Sequence, residues 1–205
     1  MAELIKLYEE NPEQKKIAKI IDILKDGGLV IYPTDTVYGL GCDINNHGAL
    51  KRIAQIKGYK KIEKANLSFM CRDMSNLSQY VQINNATFKL LKRNLPGPFT
   101  FILPGSNQLP ATFKKRKTVG IRIPDNNICR ALIDTLGNPI LTTSIKDDDE
   151  IIEYTTDPEL IYEKWHKIVD VIIDAGNGGN TPSTVVDLTY ETPTITREGK
   201  GELVL

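Results

Sequence analysis

The stretch Tyr32-Pro33-Thr34-Asp35-Thr36-Val37-Tyr38-Gly39-Leu40-Gly41-Cys42 puts two hydroxyls and a carboxylate directly after the apolar run Gly28-Leu29-Val30-Ile31. Thr34 and Thr36 offer donors and acceptors at a strand end, and Asp35 is placed to cap or orient the turn. Local pattern leaves two readings open: one wall of a ligand cavity, or a glycine-assisted turn after an edge strand. A second pattern is charge. Residues 51–64 hold six Lys/Arg against one Glu, and 114–117 reads Lys-Lys-Arg-Lys. Lys89, Lys92 and Arg93 share a further helical segment. Such runs usually solvate a face, but three of them in a chain with formal net charge +0 point to a one-sided basic surface. That surface would attract phosphates, of a nucleotide or of folded RNA. Arg122 differs in kind. It lies inside the alternating Val119-Gly120-Ile121-Arg122-Ile123, points to one face of a strand, and needs an anionic partner if covered.

Several chemistries are absent from the sequence. No G-x-G-x-x-G opens a helix after a strand, and there is no G-x-x-x-x-G-K-[ST] loop. The Gly-rich stretch 174–180 follows a strand but precedes no phosphate-binding helix, so it reads as a loop. No serine stands in a G-x-S-x-G elbow. Cys42, Cys71 and Cys129 lack metal-ligand spacing and lie far in sequence from His47 and His166, so neither a metal site nor covalent catalysis is expected. The acidic run 147–150, which follows Lys146, reads as a surface loop, with a divalent-ion site as the alternative.

The elements that must position these residues follow from periodicity. Ile17, Ile20, Ile21 and Leu24 form a helical stripe over 13–25. Strand 29–33, a helix over 47–61, strand 65–71, a helix over 84–97 and strand 98–105 come next. Strand 118–125, a helix over 126–137, strand 139–144, a helix over 158–168, and strands near 169–176 and 183–189 complete the core, and 192–205 resembles a terminal hairpin. Interchanging helices and strands argue for one α/β layer protein with helices on a mixed sheet. The 205 residues suffice for one core, and no run approaches the roughly 20 apolar residues of a membrane-spanning helix. The start shows no secretory pattern, and cysteine usage suits a reducing setting, so a cytoplasmic protein without membrane attachment is expected.

Taken in order, the segments 32–43, 95–103, 119–125, 139–144 and 183–189 resemble the YrdC-like superfamily, the threonylcarbamoyl-AMP synthase family. Residues 67–73 and 142–150 look closest to its YciO branch. The resemblance covers most of residues 15–200 and implies a single YrdC-like domain over 1–205, a twisted mixed sheet with a deep basic cavity. It implies a synthase that joins L-threonine, bicarbonate and ATP into threonylcarbamoyl-AMP and pyrophosphate, for the t6A modification of tRNA. No tightly bound organic cofactor is implied, and Mg²⁺ would ride on ATP. By position, Thr34 and Thr36 would contact the threonine or carbamate end, and Arg122 would hold the threonine carboxylate. Lys57 would meet ATP phosphates, Ser144 and Ser183 would bind adenylate or phosphate oxygens, and Arg197 would lie at the nucleotide end. Lys57 and Arg122 would together offset the charges of two anions brought into contact.

Two motif positions depart from the family. Its K-x-R-P appears as Lys57-Gly58-Tyr59-Lys60, where Lys60 and Lys61 are the available cations, without the planar fork of arginine. Its S-x-N appears as Ser144-Ile145-Lys146, with Lys146 in place of the amide. An alternative of another class therefore stands beside the synthase: a YciO-type protein without synthase activity that binds tRNA or double-stranded RNA. Lys51, Arg52, Lys114, Lys115, Arg116 and Lys117 would then hold phosphates without reading bases.

Overall fold

The computed structural model describes residues 1–60, 62, 65, 67–145 and 153–205. In chain order the elements are β1 (Glu3–Lys6), α1 (Gln14–Lys25), β2 (Val30–Tyr32), β3 (Gly39–Asp43), α2 (His47–Ile56) and β4 (Ser68–Met70). Then come α3 (Met74–Tyr80), α4 (Asn85–Asn94), β5 (Phe99–Pro104), β6 (Thr118–Arg122), α5 (Asn127–Leu136) and β7 (Ile140–Ser144). The remainder is α6 (Glu153–Thr156), α7 (Pro158–Trp165), β8 (Val171–Asp174), β9 (Thr184–Asp187) and β10 (Thr194–Arg197). The described strands form one mixed sheet in the order β1-β8-β2-β3-β7-β4-β6-β5-β9-β10.

Helix starts follow from the sequence. The side chains of Asn46, Asp73, Asn84, Asn126 and Asp157 each accept a hydrogen bond from a first-turn amide of α2, α3, α4, α5 and α7. α5 ends at Gly137, whose φ of 83° is the left-handed conformation that glycine adopts without a Cβ penalty. α2 stops five residues short of its expected end, because Lys57 caps it and Gly58 turns the chain at φ 72°.

Period-2 alternation assigns each strand residue to one of two cores. Val30, Tyr32, Met70, Ile140, Val171 and Ile173 pack with the buried stripes of α1 and α5. Leu29, Ile31, Phe69, Leu141 and Ile172 face the opposite core, which takes in α2, α7 and the inner residues of β5 and β6. On the α1/α5 side the apolar cover reaches β4 and goes no further. The same face of β6, β5, β9 and β10 carries Thr118, Gly120, Arg122, Thr100, Val185 and Thr196, and there the sheet is hollow.

Three expectations change. Gly39–Asp43 is a buried strand, paired with β2 and β7, although its glycines read as loop. Glu3–Lys6 adds an edge strand parallel to β8. No hairpin forms within 192–205; β10 pairs antiparallel with β9 instead. Residues 199–201 then run back over the sheet, where Lys200 N donates to Pro182 O and Gly201 N to Thr184 Oγ1.

Candidate functional site

A cavity of about 470 Å³ lies on the uncovered face, within the usual range for small-molecule sites. Strand alternation builds its floor. Positions 118, 120 and 122 of β6 share one face, and the same parity extends back to Arg116, so all four line the cavity. Ser68, Thr100, Thr142 and Ser144 enter from β4, β5 and β7, while Ser183 leads into β9. β10 departs from strict alternation. Its register slips between Ile195 and Arg197, and this bulge lets both Thr196 and Arg197 reach the cavity. A hydroxyl-rich floor with three guanidiniums, and no Asp or Glu among the described residues that line it, suits a polar anion.

The loop after β2 forms one wall. Thr34 Oγ1 donates to Val37 O at 2.7 Å and accepts from Thr36 N at 3.0 Å, so Thr34 shapes the turn from within. Thr36 is the member that lines the cavity. Arg122 Nη2 donates to Thr36 Oγ1 at 3.0 Å and to Asp35 Oδ1 at 3.1 Å. Both ends of the Arg122–Asp35 ion pair are largely buried, with side-chain exposures of 12% and 10%. Arg122 Nε is shielded from solvent and donates to nothing among the described residues. Below the wall, the Tyr32 hydroxyl meets Thr142 Oγ1, and burial pushes the phenol pKa above its ordinary value. The Tyr32 ring lies against Gly39 and Gly41, where a Cβ would come within 3.0 and 2.9 Å of it.

The Gly-rich loop expected at 174–180 serves as backing for this wall. Tyr38 Oη donates to Gly176 O at 2.8 Å, and its pKa is pushed up to about 12, chiefly by burial. A Cβ on Gly179 would stand 2.3 Å from Thr36 O and one on Gly178 2.6 Å from the Tyr38 ring, so only glycines allow the approach.

At the far end, Arg197 donates to Ser183 O through Nε at 3.1 Å and through Nη2 at 2.7 Å, and to Ser183 Oγ at 3.1 Å. Burial, and secondarily the charge of Arg122, lower its pKa from the ordinary arginine value. Ser183 Oγ also bonds Thr100 Oγ1 at 2.9 Å. Arg116 donates to Ala65 O and packs over the Phe113 ring.

Thr36, Arg122, Ser144, Ser183 and Arg197 therefore converge on one cavity. Lys57 stands behind it, its ammonium 3.1 Å from Ser144 O. Lys60 is exposed on the turn after α2, and Lys61 and Lys146 lie outside the described residues, as does the acidic run 147–150. Among the residues assigned to an RNA surface, Lys51, Lys114, Lys115 and Lys117 are exposed. Arg52 is half-buried, holding Asp170 Oδ2 at 2.8 Å and the carbonyls of Gly27 and Ile168. Arg116, read in the sequence as part of an RNA surface, also lines the cavity, and the parity it shares with 118, 120 and 122 was the signal for that.

The family model named for Sua5, YciO and YrdC, described as telomere recombination, matches residues 22–199. The chain is 41% identical to the protein named "Uncharacterized protein YciO" of Escherichia coli, covering 99% of this chain and 98% of that one. The crystal structure of E. coli YciO superposes with a TM-score of 0.90 over 98% of both chains. A putative threonylcarbamoyl-AMP synthase of Methanocaldococcus jannaschii is 33% identical over 96% of this chain and 92% of its own. The structure of P. abyssi Sua5 complexed with L-threonine is 31% identical with a TM-score of 0.84, over 97% of this chain and 58% of that one. With a match to the family model over most of its length and relatives this similar from end to end, the chain belongs to the Sua5/YciO/YrdC family.

Proposed function

We propose that the cavity binds L-threonine at its Thr36–Arg122 end and the phosphates of ATP at its Ser183–Arg197 end, and that the protein joins them with bicarbonate into threonylcarbamoyl-AMP and pyrophosphate. One observation carries this reading: two guanidiniums, those of Arg122 and Arg197, line the same cavity over a hydroxyl-rich floor. Carboxylates and phosphates are the groups that a guanidinium binds through charge-assisted, often bidentate hydrogen bonds. The likeness to a Sua5 structure complexed with L-threonine supports the same assignment. Catalysis would consist of alignment and charge neutralisation, since an acyl-phosphate anhydride forms once carbamate and α-phosphorus are held in line. No cluster of His, Cys, Asp or Glu able to cradle a metal occurs among the described residues, so Mg²⁺ would be held by the nucleotide. Titration calorimetry with ATP·Mg²⁺, repeated with L-threonine and bicarbonate, tests the reading. Nucleotide binding strengthened by threonine, followed by threonine-dependent pyrophosphate release, is expected; binding without release would refute the reaction.

A second reading has its own support. The chain is 41% identical to the YciO relative and 33% to the putative synthase of M. jannaschii, which supports a YciO-type binding protein as the alternative. His47 Nδ1 contacts Thr112 Oγ1 at 3.3 Å, bringing the exposed Lys51 of α2 beside the loop of Lys114, Lys115 and Lys117. This rim would hold tRNA or double-stranded RNA through its phosphates. Neutralising Lys51, Lys114, Lys115 and Lys117 together would then weaken RNA binding and flatten its dependence on salt. RNA affinity unchanged in that variant would refute the second reading.

A further inference from the structure

The two guanidiniums at the ends of the cavity differ in one respect. Arg197 makes its hydrogen bonds to Ser183 alone and has no carboxylate within ion-pair distance among the described residues. Arg122 has a resident counter-charge in Asp35. That carboxylate is fixed from two sides: Oδ1 accepts from Arg122 Nη2 at 3.1 Å, and Oδ2 from Asp125 N at 3.2 Å. The main-chain carbonyl of Asp35 accepts from Lys200 Nζ at 2.6 Å. Asp35 is not among the cavity-lining residues, so whatever it does to a ligand passes through Arg122.

We propose that Asp35 is a positioning residue that sets the anion selectivity of the cavity. By offsetting the charge of Arg122, it makes that guanidinium a site for a singly charged carboxylate and leaves phosphate to Arg197. A phosphate group carries close to two negative charges at neutral pH, about twice that of a carboxylate, so the field of Asp35 penalises it about twice as much. A carboxylate, with its single charge, still gains from the Arg122 guanidinium that lines the cavity. Asp35 thereby decides which way round a ligand with both groups lies. The inference deepens the synthase reading and rests on it for the identity of the carboxylate; its test reads binding at single arginines, so the two can fail separately.

The test follows the arginine Nε–H resonances of the ¹⁵N-labelled full-length protein during titration with sodium phosphate, sodium acetate and L-threonine. In the wild type, phosphate shifts the Arg197 resonance and leaves Arg122 in place, while a carboxylate shifts Arg122. In Asp35→Asn, phosphate also shifts Arg122, with affinity there about tenfold tighter than in the wild type. Asp35→Glu keeps the charge and retains the wild-type discrimination. Acetate acting at Arg122 while L-threonine does not would uphold the selectivity and refute threonine as the ligand. Phosphate acting equally on both arginines of the wild type, or neither carboxylate shifting Arg122, overturns the proposal. Should Asp35→Asn fail to fold, the wild-type titrations decide alone.

Discussion

Replacing Arg122 by Met keeps most of the stem's volume and removes the charge opposite Asp35. At the observed 3.1 Å, two unit charges attract by about 5 kcal/mol at an effective dielectric near 20. Desolvation of both groups offsets part of this, because each side chain is about nine-tenths buried. Arg122→Met also strands the carboxylate with one backbone donor, so it should cost about 3–5 kcal/mol. Asp35→Asn keeps an oxygen acceptor for the guanidinium and should cost about 2 kcal/mol. In the double variant neither charge is left unpaired, and the loss should fall about 2 kcal/mol short of the sum. Urea unfolding of all four proteins, fitted with a common slope, measures the coupling. Additivity within about 0.5 kcal/mol would show the pair to be an incidental contact, and the reasoning about Arg122 would fall with it.

Three further expectations concern the cavity and what holds it up. Gly41→Ala brings a Cβ to 2.6 Å from Ile140 Cγ2 and 2.9 Å from the Tyr32 ring, so thermal or urea unfolding should show a loss of about 1–3 kcal/mol. A gain would mean that the strand has room to shift. Arg197→Met removes the cation at the phosphate end while leaving the Arg122 pair intact, so phosphate affinity should fall by about tenfold or more with a smaller change for L-threonine, measured by calorimetry. The thiols of Cys42, Cys71 and Cys129 are buried, and burial raises all three pKa values above the ordinary thiol range. They should therefore resist alkylation by iodoacetamide at pH 8–9 until denaturant is added, as mass spectrometry would record.

Much of this architecture could be read from side-chain spacing. The stripe of Ile17, Ile20, Ile21 and Leu24 gave α1, and those four are its buried residues. The alternation around Arg122 gave β6 and the side to which the guanidinium points. What escaped was decided by packing between distant segments. Gly39 and Gly41 favour a turn locally, yet they form β3 because the Tyr32 ring occupies the space their side chains would need. β10 looked like half of a local hairpin, but its partner is β9, and Residues 199–201 instead bond Pro182 and Thr184. The threonines of 32–43 read as equals; only the fold separates Thr34, which holds the turn, from Thr36, which faces the cavity. Arg116 was hidden in a run of cations, where composition speaks louder than parity.

The bulge in β10 bears on how the protein comes into being. Thr36 and Arg122 belong to segments made early and midway in synthesis, whereas Ser183, at the entry to β9, and Thr196 and Arg197, on β10, close the cavity from segments made much later. A nascent chain that has reached residue 180 already holds the sequence of every strand from β1 to β8, yet it lacks the Ser183–Arg197 end of its cavity. A ligand that spans the cavity would engage fully only with a chain whose β9 and β10 are in register, so its binding would tighten the finished fold and offer nothing to the unfinished precursors.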